Sequence, residues 1–88
     1  MTETQNQIRI EISFYSFFKE LTGCAGTSQT LPLGSTLGEL IKRLVAVFPK
    51  LEPMQKSMLL AVGVEYQDRN YILRDGDEVS LFPPVQGG

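Results

Sequence analysis

The segment from Thr36 to Pro49 carries the clearest folding signal in this sequence, because it reads as an amphipathic helix with both ends marked. Thr36 and Glu39 have the spacing of a capping box, in which each side chain binds the other residue's backbone N–H. Apolar residues then recur at helical spacing on one face, namely Leu37, Leu40, Ile41, Leu44, Val45 and Phe48. A chain of 88 residues builds only a small core. We therefore expect this helix to supply much of that core.

Strand patterns lie on both sides of the helix. Ile8, Ile10 and Ile12 alternate with polar residues, which is typical of a half-buried strand. An Asp-Gly turn precedes the last apolar run and marks a reversal of the chain. The predicted elements are strands at 8–14, about 29–33, 58–62 and 78–82, a helical turn at 17–21, a loop through Pro53 and a brief edge strand at 65–67.

The order of these elements is β-β-α-β-β, which favours an α+β fold with a single mixed sheet packed on one main helix. This is the order of the β-grasp, or ubiquitin-like, fold. In that fold the first and last strands lie side by side at the centre of the sheet. We expect one domain over residues 1–88, with a frayed N-terminus at 1–7 and an extended C-terminal tail at 83–88.

Composition excludes several classes of function. A net charge of −2 lacks the basic footprint of a nucleic-acid binder. No apolar run is long enough to cross a membrane, and the polar N-terminus lacks the order of a secretory signal, so we expect a cytoplasmic protein without a membrane partner. The sequence contains no histidine, which removes Ser-His and Cys-His catalysis. Cys24 is the single cysteine, and it lies in a run of small and polar residues without a neighbouring base, so we interpret it as structural.

The C-terminal residues are Pro83-Pro84-Val85-Gln86-Gly87-Gly88. Proline favours a stiff, extended path. Glycine has no Cβ, so a narrow channel can close around Gly87 and Gly88. This combination is typical of a carboxylate presented to another protein. A terminal glycine pair also arises by chance in about 1 chain in 200 at average usage, so the rest of the chain must support the interpretation.

The segments Leu73-Arg74-Asp75-Gly76-Asp77-Glu78-Val79, Leu81-Phe82-Pro83-Pro84-Val85 and Gly87-Gly88 together resemble the C-terminal signature of the MoaD family, the small subunits of molybdopterin synthase. Weaker similarity extends over nearly the whole chain. The resemblance implies a sulfur carrier that is not catalytic alone. It implies that Gly88 is adenylated and then thiocarboxylated, that Gly87 allows threading, and that the sulfur enters a cyclic pyranopterin to form the molybdopterin dithiolene.

The same resemblance implies which partners and cofactors the chain uses. ATP would be used in trans by an E1-like adenylating enzyme, a sulfur donor protein would act indirectly, and the large synthase subunit would receive the sulfur. No cofactor or metal is expected to be bound stably. The sequence agrees, because it has no phosphate-binding Gly-x-x-x-x-Gly-Lys loop. Its acidic cluster at Asp75, Asp77 and Glu78 is interpreted as a turn-forming set.

Binding to these partners is predicted to depend on aromatic residues whose phase points away from the core. Phe82 is out of phase with Val79 and Leu81, and it is the first candidate. Tyr66 on the short edge strand and Tyr15 after the first strand follow. The adjoining residues Pro83, Pro84 and Val85 complete the predicted surface.

Three alternatives stay open. The chain can be a related sulfur carrier for another pathway, such as thiazole formation or tRNA thiolation, although the Phe-Pro-Pro run of residues 82–84 argues against a thiamine carrier. It can be a ubiquitin-like modifier conjugated to lysines through Gly88, because both fates share an adenylated intermediate. It can also be an interaction domain with an idle tail.

Overall fold

The strands and helices follow the predicted order in a computed structural model that describes residues 6–84. The strands are β1 (Gln7–Phe14), β2 (Gly26–Pro32), β3 (Leu59–Val62), β4 (Glu65–Tyr66) and β5 (Glu78–Phe82). The helices are α1 (Phe18–Thr22), α2 (Leu37–Val47) and a 3₁₀ helix at Pro49–Met54. Among residues 6–84, no helix is long and apolar enough to cross a membrane.

All the strands join one mixed sheet in the order β2-β1-β5-β3-β4. The first and last strands, β1 and β5, lie side by side and are parallel, with Ile12 opposite Val79. The other neighbouring pairs are antiparallel. This arrangement confirms the predicted α+β β-grasp fold and the predicted edge strand β4. The outer limits of the predicted domain, 1 and 88, lie outside the described residues.

The core lies between α2 and the face of the sheet toward which the isoleucines of β1 point. Leu37, Leu40, Ile41 and Leu44 of α2 are buried, and they pack with the apolar residues of β1 and β5. The predicted capping box is present, since the Glu39 N–H donates to Thr36 Oγ1 at 3.2 Å and the Thr36 N–H donates to Glu39 Oε1 at 2.8 Å. Within residues 6–84, the residues of β1 and β5 that alternate with the core residues are exposed or half-buried, so this opposite face is open to solvent or to a partner.

Several predicted boundaries differ from the structure for identifiable reasons. Strand β2 begins at Gly26 rather than Gln29, because a residue without a Cβ can lie against the Ile12 carbonyl; an added Cβ would stand 2.7 Å from that oxygen. It ends at Pro32, where the chain turns and the Leu33 N–H donates to the Asn6 carbonyl at 2.8 Å. Residues 6 and 7 are therefore paired rather than frayed.

Two further differences lie between α2 and β3. The first is a 3₁₀ helix at Pro49–Met54, where the sequence predicts a loop. Proline at the start of a helix has no N–H to leave unsatisfied, so Pro49 both ends α2 and begins the next turn. Short-range bonds such as Leu51 N–H to Phe48 O at 3.0 Å hold this segment. Strand β3 then begins at Leu59, and Met58 precedes it as a buried residue outside the ladder.

Candidate functional site

The end of the central strand β5 is where the predicted tail leaves the sheet. Phe82 is the last residue of β5 and lies opposite Leu59 of β3. On the other side, the Tyr15 N–H donates to the Leu81 carbonyl at 3.2 Å and continues the line of β1. Pro83 and Pro84 follow and are half-buried. The tail therefore starts from a strand that is hydrogen-bonded along both edges.

The three aromatic residues predicted from their phase meet at this end of the sheet. The rings of Tyr15 and Phe82 are stacked, with centroids 4.7 Å apart and planes inclined by 15°. Tyr66 meets Phe82 edge to face at 6.4 Å. Tyr15 is 42% exposed and Tyr66 is 70% exposed, whereas Phe82 between them is half-buried. These three residues are called the aromatic patch below.

The alternation of side chains along the strands explains why the aromatic patch faces away from α2. Val79 and Leu81 are buried against the helix, so Phe82 projects from the other face of β5. Tyr66 lies opposite Ala61, which in turn lies opposite Ser80 of β5. Directly opposed residues in a sheet share a face. Tyr66 and Phe82 therefore project from the same open face.

Small residues form the floor of a shallow cavity beside the aromatic patch. Its volume is about 300 Å³. The lining residues are Tyr15, Ala61, Gly63, Val64, Tyr66, Ser80 and Phe82. Ala61 and Ser80 were not predicted as site residues, although Ser80 shares the phase of Phe82 and therefore lies on the same face. Exposed aromatic rings such as those around this cavity are common anchors in protein–protein interfaces.

The acidic cluster serves the turn before β5, as the sequence analysis interpreted it. Asp75 Oδ1 accepts the Arg9 N–H at 2.8 Å, and Asp77 Oδ2 accepts the Arg74 N–H at 2.9 Å. Within residues 6–84, no group of three or more His, Cys, Asp or Glu side chains is placed to hold a metal ion. Asp75 and Asp77 precede β5 and Glu78 is its first residue, so the length of the strand separates the cluster from Phe82 in the aromatic patch.

Cys24 lies in the turn before β2, outside the aromatic patch. Its thiol is half-buried, packs against the core and lies 3.8 Å from Thr22 Oγ1. The remaining predicted site residues, Val85, Gly87 and Gly88, lie outside the described residues.

Comparison with known proteins places the chain in a family. The sequence model of the ThiS family matches residues 12–88, which include the end of β1, all of β2 to β5 and the C-terminal glycines. The chain belongs to the ThiS family. A relative of this family member from Arabidopsis thaliana, named molybdopterin synthase sulfur carrier subunit, is 30% identical over 87 residues, covering 99% of this chain and 91% of the relative. The predicted MoaD-like resemblance is thereby confirmed.

Two solved structures bear on the fold and on partner binding. The complex of subunits 1 and 2 of the molybdopterin-converting factor from Helicobacter pylori matches this ThiS-family chain with a TM-score of 0.67 and 27% identity, over 92% of this chain and 100% of that chain. The small archaeal modifier protein 1 from Haloferax volcanii matches with a TM-score of 0.82 and 22% identity, over 89% of this chain and 99% of that chain. The second match bears on the fold alone.

Proposed function

We propose that this protein is the sulfur carrier subunit of a molybdopterin synthase and that the carboxyl group of Gly88 carries the sulfur. The observation that carries the proposal is the aromatic patch at the end of the central strand, beside the start of the diglycine tail. Membership of the ThiS family and the named Arabidopsis relative support the same function. We also propose that residues 1–88 form one domain, as predicted from the sequence.

The proposed chemistry converts an unreactive carboxylate into a sulfur donor. A carboxylate oxygen is a poor leaving group, so the Gly88 carboxylate first attacks ATP and becomes an acyl-adenylate with release of pyrophosphate. Sulfur delivered by the donor system as hydrosulfide then attacks the acyl carbon, displaces AMP and leaves a thiocarboxylate. That sulfur passes to the pyranopterin, and oxygen from water restores the carboxylate. The carrier itself has no histidine for general acid–base work, so its partners supply the catalytic groups.

The proposed partners are a large synthase subunit and an E1-like adenylating enzyme that uses ATP in trans. The Helicobacter pylori complex of subunits 1 and 2 supports a large-subunit partner. We assign the contact to Phe82 first, then to Tyr66 and Tyr15, with Pro83, Pro84 and Val85 continuing it toward the tail. Exposed aromatic rings at the centre of an apolar surface are the usual anchors of such interfaces.

We further propose that the carrier holds no cofactor and that it acts in the cytoplasm. It binds no cofactor stably, because its sulfur is covalent and ATP binds to the activating enzyme. It acts in the cytoplasm, which suits a chain whose single cysteine, Cys24, has no second cysteine for a disulfide within the same chain. Gly87 is assigned to threading, since a side chain there would widen the segment that enters a partner's channel.

The experiment that tests this function is intact-mass analysis of the carrier after incubation with an activating enzyme, ATP and a sulfur donor. The expected product has gained the mass of one sulfur atom and lost that of one oxygen atom at its C-terminus. A variant without Gly87 and Gly88 serves as the matched control and should remain unchanged. An unmodified full-length carrier, in a reaction that thiocarboxylates a known carrier, would contradict the proposal.

A second measurement separates the alternative functions. Thiocarboxylated carrier is mixed with the large synthase subunit and a cyclic pyranopterin, and molybdopterin is measured. Sulfur loading without molybdopterin formation would indicate a carrier for another pathway. Lysine side chains joined to Gly88 in cell extracts, found by peptide mass spectrometry, would indicate a protein modifier.

A further inference from the structure

A second groove opens beside the base of the tail, on the side of the turn between β1 and α1. Its volume is about 340 Å³. The lining residues are Ser16, Phe17, Leu59, Tyr66, Phe82, Pro83 and Pro84. It shares Tyr66 and Phe82 with the cavity at the aromatic patch but extends in another direction, toward Phe17. This groove is called the tail-base groove below.

Phe17 is an exposed aromatic ring on a firm support. It is 44% exposed, yet it packs edge to face on the fully buried Phe18 with centroids 5.4 Å apart. Its carbonyl accepts the Glu20 N–H at 2.9 Å. A ring held in this way loses little conformational freedom when a partner covers it, so more of the contact free energy remains as affinity.

Ser16 gives the turn its unusual direction. Its φ is +56°, in the left-handed region that costs a residue with a side chain about 1 kcal/mol. Hydrogen bonds fix the turn on both sides, from the Phe18 N–H to Tyr15 O at 3.2 Å and from the Lys19 N–H to Ser16 O at 3.1 Å. Backbone strain that the surroundings maintain is concentrated at binding sites.

The consequence of this turn is that its two aromatic residues line different cavities. In an extended strand, residues 15 and 17 would project from the same face. With Ser16 in the left-handed conformation, Tyr15 lines the cavity at the aromatic patch and Phe17 lines the tail-base groove. Phe82 contributes to both cavities. The start of the tail is thus flanked by two adjoining recesses that share Tyr66 and Phe82.

We propose that the tail-base groove receives an apolar side chain of the large synthase subunit and that Phe17 is the anchor residue of this second contact. The inference rests on the function proposed above. Apart from Ser16, every lining side chain is apolar or aromatic, so the complementary group is apolar. The groove is continuous with the aromatic patch and includes Pro83 and Pro84, so a protein that encloses the tail must pass over it.

Two contacts on different sides of Phe82 restrict the orientation of the partner more than one contact does. A partner bound only at the aromatic patch can rotate about it, and the direction of the tail then varies. A second contact at Phe17 removes that rotation and fixes the line along which Pro83 and Pro84 point. Loss of Phe17 is therefore expected to reduce both the affinity for the large subunit and the rate of sulfur transfer within the complex.

The test uses the full chain with Phe17→Ala, Phe17→Leu and the control Ile72→Ala. Ile72 is 61% exposed and lies opposite Thr36, away from the groove. Affinity for the large subunit is measured by calorimetry at a temperature where thermal unfolding shows each variant to be folded. Single-turnover sulfur transfer is measured with pre-loaded carrier. Phe17→Ala should weaken binding about 10-fold or more, whereas Phe17→Leu and Ile72→Ala should stay within about 3-fold of the unmodified chain.

The outcomes distinguish this inference from the proposed function. If the unmodified chain does not bind the large subunit, both are wrong. If the unmodified chain and Ile72→Ala bind and Phe17→Ala binds equally well with normal sulfur transfer, the groove inference fails and the carrier function stands. Phe17→Leu losing as much affinity as Phe17→Ala also contradicts an apolar contact. A defect confined to thiocarboxylation would assign the groove to the activating enzyme and overturn the assignment to the large subunit.

Discussion

Replacing Phe82 by alanine is the most direct test of the aromatic patch. Phe82 stands between Tyr15, on which it stacks at 4.7 Å, and Tyr66, which meets it at 6.4 Å. Its side chain projects from the open face, so the substitution leaves the residues under α2 in place. The variant should therefore separate a loss of partner contact from a loss of the fold.

The magnitude follows from the ring contacts. An aromatic pair contributes about 0.5 to 1.5 kcal/mol beyond its buried area, so the loss of two pairs should lower the free energy of unfolding by about 1 to 3 kcal/mol. The free energy of unfolding of single domains is about 5 to 15 kcal/mol, which leaves Phe82→Ala folded. The binding free energy for the large subunit should fall by about 2 kcal/mol or more, because this is what an anchor residue at the centre of an interface contributes. That corresponds to about 30-fold in the dissociation constant.

The assay is calorimetric titration of the large synthase subunit with folded carrier variants. Leu33→Ala is the matched control, since Leu33 is 61% exposed in the turn after β2 and is remote from β5's end. Tyr15→Ala and the double variant complete a cycle, and their losses should not add because the two rings are in contact. If folded Phe82→Ala binds with unchanged affinity, the aromatic patch merely packs on its own domain, and the reasoning is refuted.

Two further predictions concern residues outside the aromatic patch. Gly26→Ala should lower the free energy of unfolding by about 1 to 3 kcal/mol in urea titration, because the new Cβ would stand 2.7 Å from the Ile12 carbonyl oxygen and the strands must shift. Thr30→Ala, at an exposed position of the same strand, should cost less than about 1 kcal/mol, and equal losses would contradict this explanation. Cys24→Ser should give the same mass gain as the unmodified chain when thiocarboxylated, and failure to do so would show that the cysteine participates in loading.

Local sequence signals were sufficient for the elements that depend on local geometry. The capping box at Thr36 and Glu39 formed because its two reciprocal bonds involve residues one helical turn apart. The alternation along β5 predicted that Phe82 would face away from Val79 and Leu81, and the structure has it so. In both cases the period of the backbone alone determines which side chains share a face.

Features that depend on residues distant in the sequence could not be predicted from local patterns. The start of β2 at Gly26 is set by the approach of that residue to Ile12, which no pattern within the segment records. The tail-base groove was missed because its turn uses Ser16 rather than glycine at a positive φ, so the usual sequence marker is absent. Phe17 was predicted only as part of a helical turn. Its place in the groove depends on Leu59 of β3 and Phe82 of β5, which are distant in the sequence.

The position of β5 in the middle of the sheet allows a partner to bind and pull the tail without unfolding the strand that carries it. Glycine is the costliest residue to hold in one conformation, so a partner that grips Gly87 and Gly88 needs favourable contacts elsewhere. The aromatic patch and the tail-base groove lie directly before the tail and can supply them. A pull on the tail is transmitted to Phe82 and Leu81, which lie opposite Leu59 of β3 and Phe14 of β1, so the load is shared between two ladders. An edge strand as short as β4, with only Glu65 and Tyr66, would peel away under the same load.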